Sequence, residues 1–181
     1  LESSHGVSVG DYVVVNSGWA LLNGRLARAS AVATNDVTLE GIDTSDTAVY
    51  PAGLGIGSTQ EFTWATQLSQ IEQNIQVSGG DAKFADATFI ELLEDATIPD
   101  GFNAGSWKLG YFSDNTLAWL AAVRAAMTSQ ALRPFMLKTL SNQRVMFNAY
   151  WSLSELSRIE GGSFRGNIDL ARRGLQTTLS T

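Results

Sequence analysis

The chain contains no cysteine and a single histidine among its 181 residues. Without cysteine it forms no disulfide bond and has no thiolate to serve as a nucleophile or metal ligand. Metal sites normally draw on several histidine or cysteine ligands, and a serine–histidine pair would have to use His5 near the start of the chain. We therefore expect a protein that is not an enzyme, with no catalytic residues, no metal site and no cofactor.

Basic residues are few and scattered. Lysine and arginine number 12 against 18 aspartates and glutamates, a net charge of −6, and Arg172 and Arg173 are the one adjacent basic pair. Stable binding to DNA or to an acidic membrane surface needs clustered cations, so the composition argues against both. The chain also lacks an apolar run near the roughly 20 residues that span a membrane, and no signal peptide is visible. We expect no membrane span.

Two long stretches near the C-terminus alternate between apolar and polar residues. In residues 144–155, Phe147 falls on one face, and Met146 and Asn148 fall on the other. Residues 162–173 repeat the alternation. A period of two places one set of side chains on a buried face and the other on a wet face. Since each stretch is about twice the usual five to six residues of a strand, the pattern predicts a sheet with a core on one side and solvent or a wide channel on the other.

Shorter strands and one helix precede these two stretches. Alternation and turn residues predict strands at residues 12–15, 19–32 (bent at Asn23-Gly24), 37–42, 71–78, 83–92, 104–112 and 132–140, with a turn at 98–101. A helix is predicted at about 115–128, where Ser113, Asp114 and Asn115 supply a cap before an apolar stripe. The fold class is mainly β, an antiparallel β-sandwich or barrel with one flanking helix.

The length suits a single domain over residues 1–181. Within it we expect a β meander at 1–45, an extended loop at 43–59 and a sandwich core with the helix at 60–181. The loop is rich in turn formers, and those singled out are Asp43, Asp46, Pro51, Gly53, Gly55 and Gly57. Their spacing fits neither a phosphate-binding glycine loop, since no lysine follows, nor a calcium loop. A loop of this length in a compact domain is usually functional or disordered.

Four segments carry a resemblance to a known family. They are residues 78–84 (SGGDAKF), 98–104 (IPDGFNA), 114–118 (DNTLA) at the start of the helix, and 147–155 (FNAYWSLSE) in the first long strand. In their residues and in their order along the chain, these segments resemble those of the major tail tube proteins of long-tailed bacteriophages. The resemblance runs from about residue 71 to the end of the chain.

The resemblance implies a ring-forming structural protein without catalytic residues. Subunits of that family associate as hexameric rings, and the rings stack into a hollow tube through which double-stranded DNA passes without specific binding. Its implied partners are other copies of the chain and the tape-measure, tail-terminator and baseplate or tip proteins. The implied location is the virion tail, after assembly in the cytoplasm of the host bacterium. In such a tube the loop at 43–59 is expected to bridge subunits or successive rings.

The wall of the channel is expected on the polar faces of residues 71–78 and 162–173. The candidates that point inward are Glu72, Asn74, Gln76, Asn167 and Asp169. Carboxylates on this wall would repel DNA phosphates over a Debye length of about 8 Å at physiological salt. Arg165 shares the face and is expected to pair with Asp169, four residues further along the same side of the strand.

A carbohydrate-binding or capsid-decorating β-sandwich is the alternative interpretation. In that case some of the five tryptophans (Trp19, Trp64, Trp107, Trp119 and Trp151) would stack on sugars. Most of them occupy apolar positions of their pattern, where a core role is more common. Oligomeric state separates the two interpretations, since a tube protein forms rings or polymers and a lectin-like module forms a small, defined species.

Overall fold

The computed structural model describes residues 5–86, 97–114, 116–160 and 163–180. Within them the chain forms one helix and antiparallel strands, which confirms the mainly β fold class with a single helix, although the sheets are not closed into a barrel. The elements are β1 Tyr12–Ser17, β2 Arg25–Val32, β3 Val37–Leu39, β4 Gly57–Phe62, β5 Gln76–Ser78, β6 Ala82–Asp86, β7 Thr97–Phe102, β8 Ser106–Phe112, α1 Ala118–Ser129, β9 Arg133–Lys138, β10 Arg144–Glu160 and β11 Ser163–Leu179. No helix of the described residues is long and apolar enough to span a membrane.

The N-terminal sheet has the order β3-β2-β1-β4. The strand predicted at residues 19–32 is wrong in its first part, because Leu22 and Asn23 both donate backbone hydrogen bonds to the Trp19 carbonyl at 3.0 Å and form a turn there. Val15 is paired with Arg25, so the connection between β1 and β2 takes up residues 18–24. Strand β4 was not predicted, and it begins inside the expected loop.

The C-terminal sheet has the order β5-β8-β11-β10-β9. Its centre is the pair of long strands β10 and β11, each of 17 residues, so the two alternating stretches are confirmed and extend further than predicted. Phe147, Ala149, Ile168 and Leu170 lie on one face and pack in the largest hydrophobic cluster, together with Trp107 of β8. The long strands therefore hold the main core on one side.

The opposite face of β10 is buried at one end. Met146 packs there with Leu26 and Leu179 in a separate cluster beneath the N-terminal sheet. Asn148 is only 2% exposed and donates from Nδ2 to the Gly24 carbonyl at 2.8 Å. The expectation that Met146 and Asn148 face water is wrong, because alternation within one strand cannot reveal a second sheet that packs over its polar face.

The helix begins and ends slightly later than predicted. It spans Ala118–Ser129 and buries Trp119, Leu120, Val123 and Ala126. Asp114 does not cap it, since its Oδ1 accepts hydrogen bonds at 2.9 and 2.8 Å from the backbone nitrogen and hydroxyl of Thr116, in a turn before the helix. The backbone hydrogen bond is the main cause that lowers the pKa of Asp114. Asn115, another of the three predicted cap residues, lies outside the described residues.

The helix is tied to β10 by an ion pair. Arg124 donates from Nε and Nη2 to the two carboxylate oxygens of Glu155 at 2.5 and 2.9 Å. The hydrogen bonds from Arg124 are the main cause that lowers the pKa of Glu155. A bidentate pair of this kind fixes orientation more than it adds stability at an exposed site.

Three predicted features in and before the hairpin of β6 and β7 differ from the structure or extend beyond its described residues. The turn expected at residues 98–101 is wrong, because these residues lie within β7, where Pro99 is paired with Phe84. Proline is tolerated since a two-stranded sheet consists of edge strands. The strand predicted at 83–92 is described only as Ala82–Asp86, and the rest lies outside the described residues. The strand predicted at 71–78 shortens to Gln76–Ser78, preceded by a single bridge from Ile71 to Tyr111.

Candidate assembly surfaces

The face of the C-terminal sheet that lies opposite the main core is open beyond the N-terminal sheet. Gln76 is paired with Lys108, Lys108 with Asp169, and Asp169 with Ser152, so these four residues form one row across four strands. All four are exposed. We call this surface the polar face, and its residues are Gln76, Ser78, Ser106, Lys108, Ser152, Ser154, Asn167 and Asp169.

The candidates for the channel wall are brought together only in part. Gln76, Asn167 and Asp169 lie on the polar face. Asn74 is exposed in the stretch that precedes β5, outside any strand. Sequence reasoning did not select Lys108 as a wall residue, although the alternation of residues 104–112 already placed it opposite the buried Trp107.

Glu72 reaches the polar face across a glycine of β8. A Cβ atom at Gly110 would overlap the Glu72 carboxylate, so the absence of a side chain at Gly110 makes room for it. Glu72 Oε1 accepts a hydrogen bond from Arg165 Nη1 at 2.5 Å, and the two side chains are 17% and 19% exposed. The Arg165 guanidinium also lies 4.2 Å from the centre of the Phe112 ring. The prediction that Arg165 pairs with Asp169 is therefore wrong, because the chain before β5 brings Glu72 to it.

The carboxylates of the loop at 43–59 shape turns. Asp43 Oδ1 accepts from the Ser45 backbone nitrogen and Asp46 Oδ1 from that of Ala48, each at 2.9 Å. The backbone hydrogen bond from Ser45 is the main cause that lowers the pKa of Asp43. No group of three or more potential metal ligands occurs in the described part of the chain. Both aspartates thus have a structural role in the turn.

The second half of the loop packs against Trp19. The Trp19 indole nitrogen donates to the Pro51 carbonyl at 2.9 Å, and a Cβ atom at Gly55 would lie 2.7 Å from the indole ring. Gly57 belongs to β4, where it is paired with Ser17 too closely to leave room for a side chain. A Cβ atom at Gly53 would meet open space. The loop is therefore held against the N-terminal sheet.

This arrangement leaves apolar side chains at the loop surface. Leu54 is 63% exposed and Ile56 is 85% exposed. Two large exposed aliphatic side chains, one residue apart on the loop, offer apolar surface for a contact, which the glycine spacing did not indicate.

None of the tryptophans, all of which lie in the described residues, is exposed. Trp107 and Trp119 are buried in the main core, and the other three are partly buried. A sugar-binding platform needs an accessible ring face. The positions of the tryptophans therefore give no support to the carbohydrate-binding interpretation.

The described strands thus form open antiparallel sheets, one of which carries the polar face. A family model described as phage tail tube protein (TTP) matches residues 17–165. The match covers most of the chain, so the chain belongs to the phage tail tube protein family. A search of curated proteins finds no match. The family is one of structural proteins, and membership implies self-assembly into a tube with other components of the virion tail.

Proposed function

We propose that copies of this chain close into hexameric rings, and that the rings stack into the hollow tube that delivers double-stranded DNA. The observation that carries the proposal is the polar face, a row of exposed polar residues that runs across four strands next to a deep core on the other side. A sheet that forms the wall of a tube needs a polar face toward the water-filled channel and an apolar face that packs in the core of the subunit.

Sheet edges that lack a partner strand in the described part of the chain support ring closure. At one side β5 is the outermost strand, with exposed residues Gln76–Ser78. At the other side the pairing of β9 with β10 ends at Ala149, while β10 continues to Glu160. Beyond that point β10 has no described strand partner on this side, although α1 lies against part of the edge, where the Leu153 backbone nitrogen donates to the Met127 sulfur at 3.4 Å, a weak acceptor. Strand edges with free backbone groups pair readily with another chain.

The charges of the polar face are balanced. Lys108 is paired in register with Asp169, and Arg165 forms an ion pair with Glu72. A wall of this composition offers DNA no cluster of cations, and phosphate binding depends on such clusters. We infer that DNA slides past without being held. At the ends of the tube we expect tail-terminator and baseplate or tip proteins, and we expect the tape-measure protein inside, with assembly in the host cytoplasm.

A charge change on the polar face tests this assignment. Asp169→Lys combined with Asn167→Lys should leave tubes assembled but make them retain polyanions, measured by co-sedimentation with double-stranded DNA and by slower DNA ejection. Glu72→Lys is not suitable, because it would break the largely buried ion pair with Arg165 and so destabilise the subunit itself. The matched control is Asp36→Lys with Thr34→Lys, the same charge change at exposed positions in the turn between β2 and β3.

Equal DNA retention by the two double variants would contradict the lumen assignment. Retention by the first variant alone, lost at high salt, would support it because the electrostatic contribution to DNA binding falls steeply with ionic strength.

The loop at 43–59 is proposed to contact the next ring through Leu54 and Ile56. Replacing both by serine should leave the unfolding transition of the subunit unchanged but shorten or abolish tubes in electron micrographs. Deletion of residues 53–57 is less informative, because it would also remove the first residue of β4. Val9→Ser with Leu140→Ser is the control, since both positions are exposed apolar residues outside the loop. Normal tubes from the loop variant would contradict the proposal.

A further inference from the structure

The hairpin of β6 and β7, which we call the arm, has apolar side chains that are exposed in the described strands. Phe84, Ile98 and Phe102 are 60%, 54% and 57% exposed. The arm forms a separate two-stranded sheet and contributes to none of the three hydrophobic clusters of the described residues. An isolated two-stranded hairpin is at best marginally stable in water. The arm therefore presents a surface that a partner would stabilise.

The base of the arm is fixed to the C-terminal sheet. Gly79 and Gly80 have φ values of +72° and +86°, a backbone conformation that favours glycine. The Arg172 guanidinium covers Gly80 and Gly105, since a Cβ atom at either position would lie 2.8 Å from it. Backbone hydrogen bonds join Gly80 to Asn103 at 3.1 Å and Asn103 to Asp81 at 2.9 Å. These contacts set the direction in which the arm leaves the sheet.

An apolar groove lies elsewhere on the same chain, between α1, β9 and the stretch from Phe62 to Ile75. Its volume is about 1070 Å³. The apolar lining includes Leu68, Ile71, Ile75, Ala122, Ala126 and Trp151. Among the described residues that line it, the charged ones are Arg133 and Lys138, both positive.

The arm and the groove match in chemistry. The described residues of the arm itself, 81–86 and 97–102, carry three aspartates (Asp81, Asp86 and Asp100) against Lys83, a net charge of −2, and Lys83 forms an ion pair with Asp100. Arg172 of β11 lies at the base, not on the arm. The groove has an apolar floor and two cations at its rim. Opposite charges that flank an apolar contact favour encounter and fix its register.

We propose that the arm of one copy lies in the groove between α1 and β9 of a neighbouring copy. The inference rests on the proposed assembly of copies, and it names the surface through which they join. Two different patches of one chain that bind each other form a heterologous contact, which propagates into rings or filaments. A contact of this kind fits a subunit that has both an arm and a groove.

Disulfide trapping tests the contact, because the chain contains no native cysteine. The single variants Ile98→Cys on the arm and Ala122→Cys in the groove are mixed, oxidised and separated without reductant. Mass spectrometry of the linked peptides identifies the 98–122 bond, and electron microscopy of the same sample records rings or tubes. The matched control is Leu140→Cys mixed with Ala122→Cys, because Leu140 is an exposed apolar residue outside the arm and the groove.

We expect the 98–122 dimer as the main linked species, and little 140–122 product. If the double variant with both cysteines in one chain forms only an internal link and the mixture forms none, the arm folds onto its own groove and the proposal is overturned.

The bond and the assemblies are read separately. Tubes without the 98–122 bond would overturn the docking of the arm but would not contradict the tube function. The 98–122 bond without rings or tubes supports the docking and contradicts the tube function. Absence of both contradicts both.

A charge swap gives an independent readout. Arg133→Glu with Lys138→Glu in the groove chain should remove most of the 98–122 dimer, and Asp81→Lys with Asp86→Lys in the arm chain should restore it. A dimer yield that is unchanged by the groove substitutions, or that is not restored by the arm substitutions, would overturn the charge-complementary contact proposed here.

Discussion

Tyr111 shows how one residue of the core combines tight packing with an unsatisfied polar group. Its side chain is fully buried, and its ring meets Trp119 edge to face with centroids 5.1 Å apart. A Cβ atom at Gly166 would overlap this ring, so β11 approaches Tyr111 through a glycine. The hydroxyl has no hydrogen-bond partner in the described part of the chain. Burial is the main cause that raises the pKa of Tyr111.

We expect Tyr111→Phe to raise the free energy of unfolding by about 1 kcal/mol, because a buried hydroxyl without a partner has lost its hydrogen bonds to water. Urea denaturation of the unassembled subunit measures the change. Tyr150→Phe is the control, since Tyr150 is 47% exposed and its hydroxyl can remain in water. A lower stability of Tyr111→Phe relative to this control would show that the hydroxyl has a partner.

At the residue scale the sequence indicates polarity but not partners. It placed Arg165 on the same side of β11 as Asp169, and strand alternation is sufficient for that inference. It could not show that Glu72, 93 residues away, reaches Arg165 instead. That contact depends on the positive φ of Gln70, which turns the chain before β5, and on the missing side chain of Gly110. The backbone conformation of Gln70 has no signature in the sequence, and Gly110 within a predicted strand indicates a close approach without showing that Glu72 makes it.

The two larger sheets meet through a short set of buried polar contacts. Thr177 is fully buried, donates from Oγ1 to the Leu26 carbonyl at 2.5 Å and accepts from Arg25 Nε at 2.9 Å. Burial is the main cause that lowers the pKa of Arg25. Asn148 adds the hydrogen bond to Gly24. These contacts join β11 and β10 to the first hairpin and fix how the N-terminal sheet lies over the end of the long strands.

Thr177→Val should lower the free energy of unfolding by about 1–3 kcal/mol, since it removes both hydrogen bonds and leaves a half-buried guanidinium without one acceptor. Thermal and urea unfolding of the subunit measure the loss. Thr178→Val is the matched control, because the neighbouring side chain is exposed. Equal stability of the two variants would mean that the hydrogen bonds of Thr177 do not help to hold the sheets together.

At the element scale the predictions succeed where a pattern is long. The alternation of residues 144–155 and the apolar stripe of α1 both have the periodicity of the element they form. Two short strands were missed, because β4 carries no alternation that separates it from a loop, and Pro99 and Gly101 in β7 are residues typical of a turn. The burial of Met146 was missed for a different reason, since it depends on a second sheet that the strand itself does not encode.

The whole molecule combines a C-terminal sheet with one buried and one polar face, a loop at 43–59 that packs on the N-terminal sheet, and an arm with exposed apolar side chains. The composition excludes thiolate chemistry and argues against DNA binding and membrane spans. The resemblance of four segments to tail tube proteins indicates the family, and the family match confirms it. The arm and the groove could not be derived from the sequence. Their match depends on the glycine-rich base of the arm and on three elements that meet only in the folded chain.

Negative-stain electron microscopy of the purified protein, over a series of concentrations and salt, tests the central claim most directly. An obligate ring interface buries on the order of 2,000 Å² or more per pair of subunits. We therefore expect rings with a central pore, and stacked tubes at high concentration. A strictly monomeric species at every concentration and salt would contradict the assignment of this chain as a subunit that closes into rings and stacks into a tube.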